Sequence, residues 1–189
     1  MSGLLASKGV LIALWLALLM SAEHLRPAAP FPATAGSPAG FRRLRNLALA
    51  AINIVLSPLV IVPLSALAVG HAFAWRPEWW RGGAGLALDL LLLDGLIYWW
   101  HRANHEWRFL WRFHSVHHLD RFLDTTTALR FHFGEVLLSA LARAGVIVLI
   151  GFPLSSILAF EAAVLMAAIF HHSNLRLPVW LEAVLARLI

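Results

Sequence analysis

Five stretches of this chain are apolar over lengths that a water-soluble fold seldom offers. They run from about Leu4 to Leu25, Leu47 to Val69, Ala84 to Trp100, Val136 to Phe152 and Leu154 to Phe170. A helix needs about 20 predominantly apolar residues to cross a bilayer. The composition agrees: 60% of residues are hydrophobic and 13% charged, against about 45–50% and 25% in soluble domains. The expected fold is therefore all-α, a polytopic membrane bundle of about four to five transmembrane or hairpin helices. The first run also carries features of a signal peptide: Lys8, a short core from Val10 to Met20, and small residues at its end. Ser21-Ala22-Glu23 is a poor cleavage site, however, and Leu25 continues the helix. It reads better as a first transmembrane helix with Lys8 snorkelling to the surface.

The connections have their own signals. Arg26 to Gly40 is rich in Pro, Ala, Gly and Ser and reads as an extended linker. Pro58 and Pro63 should kink the second helix. Gly151-Phe152-Pro153 should turn the last two into a hairpin. The net charge of +5 rests on 14 Arg and one Lys. In so apolar a chain that excess reads as membrane orientation, not as nucleic-acid binding. Four arginines lie between the first two helices and five between His101 and Arg130, against two between the second and third helices. The positive-inside rule then places the first connection and the segment after Trp100 in the cytoplasm. The chain has no cysteine, which excludes disulfides, thiolate catalysis and Cys-ligated metals.

Ten histidines against one lysine is the anomaly, and eight of them fall at helix exits on that one face. His101 and His105, in HRANH, are spaced i, i+4 and share a helical face. His114, His117 and His118, in WRFHSVHH, follow at i, i+3, i+4. His132 stands in RFHFGE, and His171 and His172 in FHHSN. Imidazole suits iron, zinc, copper and nickel, and so many phased histidines exceed one site, so two metals are inferred. The candidate ligands are His101, His105, His114, His117, His118 and His172. His132 and His171 are additional candidates, with His172 favoured because adjacent helical residues face about 100° apart. His24 and His71 read as ordinary interfacial polar residues.

The acids have two readings each. Asp94, seven residues before His101, is a candidate to orient a ligand histidine through its other ring nitrogen, or to pair with an arginine such as Arg143. Glu161 is either a polar group in a substrate cavity or a helix-packing hydrogen bond. Glu135 is a second candidate to support a ligand. Trp99, Trp100, Trp107 and Trp111 are expected as interfacial anchors.

The succession HRANH, WRFHSVHH, TALRFHFGE, FHHSNLRLP resembles the fatty acid hydroxylase/sterol desaturase superfamily of membrane di-iron oxidoreductases. The resemblance covers about Ala84 to Ile189, so the chain divides into N-terminal helices and linker, 1–83, and a histidine-box region, 84–189. Two departures stand out. Phe133 occupies a position where the superfamily usually has proline, and Ile189 falls before the further His-x-x-His-His box into which members continue. The 189 residues are thus expected to be folded in the membrane but catalytically inactive, with at most one metal held firmly. The resemblance implies two irons, O₂, a lipid substrate in the membrane, and an electron donor such as ferredoxin or a cytochrome b5-like protein. The alanine-, leucine- and arginine-rich composition suggests a bacterial inner membrane. Two rivals remain: a membrane metal-binding or transport protein, and an inactive scaffold.

Overall fold

A computed structural model describes residues 2–32 and 38–188. They form α1 (Ser2–Leu25), α2 (Ala39–Leu56), a π-helical turn (Ser57–Ile61), α3 (Val62–Gly70), α4 (Gly82–Glu106), α5 (Arg108–His118), a 3₁₀ turn (Thr125–Leu129), α6 (Phe133–Ile150), α7 (Leu154–His172) and α8 (Val179–Leu188). Five helical stretches are long and apolar enough to cross a membrane: Ser7–Leu25, Ala39–Gly70, Gly82–Glu106, Phe133–Ile150 and Leu154–His172. The polytopic helical bundle expected from the apolar runs is what the structure shows. Part of the linker, at 33–37, lies outside the described residues.

The second span is 32 residues long because it starts well before the apolar run. Arg42, Arg43 and Arg45 are helical and do not precede the helix. Pro58 has no N–H to offer the preceding turn. The helix answers by widening, and Val62 N–H bonds back five residues to Ser57 O. The helical span therefore continues through both prolines.

Polar side chains bind the bundle at three levels. At the histidine end, Arg42 of α2 bonds Asp120 at 2.6 Å, the Phe122 carbonyl at 3.0 Å, and Asp124. Asn46, one turn on, donates to Asp120 at 2.9 Å and Thr126 at 3.1 Å. Glu23 at the end of α1 accepts from the Thr125 and Asn174 amides at 2.9 and 3.1 Å. Residues 26–28 pair with 174–176 in a short antiparallel bridge. The first connection and the end of α7 thus lie at the same end of the bundle. Burial works against charge on Asp124, but hydrogen bonds from Thr126 and Arg43 and the adjacent Arg42 hold its carboxyl below the usual range.

Midway along the bundle, Lys8 does not snorkel. It turns inward to Glu161, which Arg143 of α6 also meets at 3.1 Å. A carboxylate held between two cations is far cheaper in a membrane than an unpaired charge. At the far end Asp89 accepts from Arg76 at 2.6 Å, Trp80 Nε1 at 2.9 Å and Ser156 at 2.6 Å. Gly151, at φ +78°, ends α6 in the left-handed conformation, and a Cβ there would lie 3.0 Å from the Phe73 carbonyl. The chain reverses here as expected, but α6 packs chiefly against α3 and α7 against α1 and the 3₁₀ turn, so the two helices do not form the tightly packed hairpin that the sequence suggested. The core at this end gathers Leu93, Ile147, Phe152, Ile157 and Phe160.

Arg42→Met removes the one side chain that reaches both Asp120 and Asp124 and strands buried carboxylate charge. We expect a loss of about 3–5 kcal/mol, seen as a lowered unfolding midpoint in detergent. Arg81→Met, which breaks only the exposed pair with Glu78, should leave the midpoint nearly unchanged.

Candidate metal centre

Three helices and one turn deliver the histidines. α4 extends past its apolar run to Glu106, so His101 and His105 project from its last turns. The chain breaks at Trp107, where the backbone is extended, and α5 folds back beside α4 with His114, His117 and His118 on its inner face. Nε2 of His105 lies 3.1 Å from Nε2 of His101 and 3.2 Å from Nε2 of His114; Nε2 of His118 lies 3.1 Å from that of His114. His101, His105 and His114 form a group whose ligand nitrogens all lie within 4.8 Å of one another.

Protons alone do not account for this arrangement. Each Nε2 carries either one hydrogen or one lone pair. Four such nitrogens can form at most two separate hydrogen bonds, yet three contacts of hydrogen-bond length link them. A cation that takes a lone pair from each removes the conflict. Two imidazole nitrogens bound to one metal at about 2.0–2.1 Å sit about 2.9–3.4 Å apart for bond angles between 90° and 109°. The three linked separations fall in that interval, so His101, His105 and His114, which form one group, fit a metal, with His118 next to them.

Support comes from outside the ring of nitrogens. Glu135 Oε1 accepts from His114 Nδ1 at 2.7 Å, which turns the Nε2 lone pair of this buried ring inward. Gly134 makes that reach possible: a Cβ there would meet the Phe113 ring at 2.7 Å, forcing α6 away from α5. Trp111 stacks on His118 with centroids 5.6 Å apart, a role beyond that of an interfacial anchor.

His117 and His172 form a second group, with ring centroids 5.0 Å apart. His117 Nδ1 donates to the Arg130 carbonyl at 3.2 Å, so its Nε2 is free. Arg130 also donates to the Val116 carbonyl at 2.7 Å and to Asn46 Oδ1 at 2.8 Å. The end of α5 is thereby tied to α2. Burial pushes the His117 imidazole down to about 4. Burial, with His114 and His105 nearby, also lowers that of His118. Both rings are neutral at neutral pH, the form that binds metal.

The remaining candidates fall elsewhere. His132 caps α6, its Nδ1 accepting from the Gly134 amide at 3.0 Å. His171 is exposed, with its ring beside that of Phe170. Asp94 shares a helical face with His101 but lies about 10 Å below it along the axis. It is exposed and makes no hydrogen bond or ion pair with any described residue. Arg143, its alternative partner, is taken by Glu161. Glu135, not Asp94, holds a histidine. Spacing along one helix assigns a face, but only the neighbouring helix assigns the level. Arg42, Asn46, Asp120, Asp124 and Arg130 escaped the sequence reading; the one signal was Asp120, two residues after His118.

A family profile described as fatty acid hydroxylase matches residues 86–188. The chain belongs to that family. A relative described as ornithine lipid hydroxylase OlsE, from Rhizobium tropici, is 27% identical over 117 residues, 62% of this chain and 35% of the relative. The chain thus spans about a third of the length of the curated relative it matches. No solved structure matches it.

Glu135→Ala should weaken metal binding by about 10–100-fold, and His118→Ala should lower bound metal, both without loss of membrane insertion. His24→Ala should do neither. Equal metal content across the set, by elemental analysis, would remove the site. In metal-stripped protein, His117 stays neutral when folded while the unfolded chain protonates near its ordinary 6.5. Its contribution to stability is complete above pH 6.5 and declines as pH falls through about 4. The unfolding midpoint of wild type should therefore fall more steeply over that window than that of His117→Asn.

Proposed function

We propose that this chain carries the histidine-bound metal centre of a membrane lipid hydroxylase that uses two irons, O₂ and external electrons to oxidise a C–H bond of a lipid. The observation that carries this reading is the convergence of four Nε2 atoms at one end of a membrane bundle, in a chain of the fatty acid hydroxylase family. The relative's description as an ornithine lipid hydroxylase points to a polar membrane lipid as the class of substrate.

Within this reading, His101, His105, His114 and His118 would hold one iron. His117 and His172 would contribute to the second, which needs ligands beyond those two. Iron bound there would activate O₂, the oxidant, with electrons from the external donor. The chain's own residues do the rest. Glu135 fixes the tautomer and direction of His114, and the Arg130 carbonyl does the same for His117. The position at the end of the spans meets two needs at once. A lipid chain reaches the site from the bilayer, and a soluble donor of the ferredoxin or cytochrome b5 type reaches it from water. Arg102, Arg108, Arg112 and Arg121 are exposed around the histidines and suit an acidic donor or anionic headgroups. We assign residues 84–189 to the reaction and 1–83 to the scaffold, in a bacterial inner membrane with the histidines facing the cytoplasm. A transporter would hold polar ligands near the bilayer midplane. Here the ligand set sits at the helix ends.

Two measurements test the reading. The purified protein should carry iron at the histidine cluster, and membranes in which the chain is extended by a segment that supplies a further His-x-x-His-His box, given lipid extract, O₂ and a reducing system, should yield lipid heavier by one oxygen atom. Tightly bound zinc and unchanged lipid would overturn the hydroxylase. Since the chain has no native cysteine, single cysteines at Glu106, Ser115 and Ser173 report orientation. All three should resist an impermeant reagent in intact cells, and labelling of any of them would reverse the topology.

A further inference from the structure

A groove of about 320 Å³ lies between α4 and α6, outside the histidine cluster. Leu93, Leu96 and Trp100 of α4 face Ser139, Ala142 and Val146 of α6 across it, and Phe160 of α7 closes its depth. The size is that of a small-molecule site. Its α6 wall is continuous with the metal centre. Glu135, Ser139, Ala142 and Val146 recur at intervals of three and four residues, so they share one helical face. The groove therefore begins one turn beneath the carboxylate that holds His114. It reaches a depth of about 16 Å below Glu135, at 1.5 Å per residue from Glu135 to Val146. Leu93 and Phe160, at its depth, belong to the sealed core.

Its chemistry selects the occupant. Two polar groups on the wall are already engaged with each other: Trp100 Nε1 donates to Ser139 Oγ at 2.7 Å. Arg143 also borders the groove but turns its guanidinium to Glu161. What remains is apolar and aromatic surface inside two membrane-spanning helices, with the exposed Trp99 and Trp107 at its mouth. Apart from Arg143 Nε, which is buried without a partner, and the indole N–H groups at the mouth, the wall offers a polar ligand little to bind, whereas a hydrocarbon chain keeps the environment it has in the bilayer. We propose that this groove seats one acyl chain of the lipid substrate, with the headgroup at the histidine end. This rests on the hydroxylase reading above. Ala142 is the residue whose small size leaves the groove open, so it governs how deep a chain enters.

The test needs neither metal nor turnover. The full chain is placed in nanodiscs that contain a phospholipid with a photoreactive diazirine in one acyl chain, irradiated, and its adducts mapped by mass spectrometry. Adducts should concentrate on Leu93–Trp107 and Ser139–Val146, above the level at the lipid-exposed Leu14 and Leu59. Ala142→Phe should reduce groove adducts several-fold and leave those at Leu14 and Leu59 unchanged. Val146→Trp, which fills the groove from deeper, should shift the adducts toward Trp100 and serves if Ala142→Phe does not fold. Uniform labelling of all lipid-facing positions, or groove labelling indifferent to both substitutions, would overturn the proposal. Substitution-sensitive labelling in a protein that leaves lipid unoxidised even when extended by a further His-x-x-His-His box would support the acyl site and refute the hydroxylase.

Discussion

Hydrocarbon offers a backbone no hydrogen-bond partner, and this constraint shapes the whole molecule. Each span must satisfy its own N–H and C=O groups, so each is a helix. Even the proline-bearing second span keeps its ladder by widening to a π turn. Helices that must be apolar along their length have little room for chemistry except at their ends. The four converging imidazole nitrogens accordingly come from the last turns of α4 and from α5, which follows it outside the span.

Building a metal centre at a helix end requires that the ends be held, and here polar networks hold them. Arg42 and Asn46 of α2 seize the segment after α5 through Asp120, Asp124 and Thr126. Asn46 also takes a bond from Arg130, whose carbonyl orients His117. Glu23 ties α1 to the 3₁₀ turn and to Asn174, just past His172. Each of these buried charges is costly alone and tolerable in company. Their combined effect is to fix the level of four separate helices relative to one another, which apolar packing against lipid-like side chains does only loosely.

The same logic sets apart the acids deep in the spans. Asp89 is met by three donors and Glu161 by two cations. Asp94 has no partner among the described residues and stands on an exposed face. Only Glu135, at the first turn of α6, reaches a histidine. It does so because Gly134 beside it lets the ring of Phe113 come close.

The sequence alone determined the spans, because their length and apolarity answer directly to bilayer thickness. It also determined which histidines share a helical face, because a period of 3.6 residues follows from local geometry. His101 with His105, and His114 with His117 and His118, were therefore legible. Only the tertiary structure decided that α5 folds back on α4, which splits the histidines into a group of four and a pair. It also decided that Lys8 turns inward and that Glu135, not Asp94, supports a ring. Those outcomes depend on the relative height and rotation of helices far apart in the chain. No local pattern encodes them; they are settled by residues such as Arg42, Gly134 and Arg143 that act between helices.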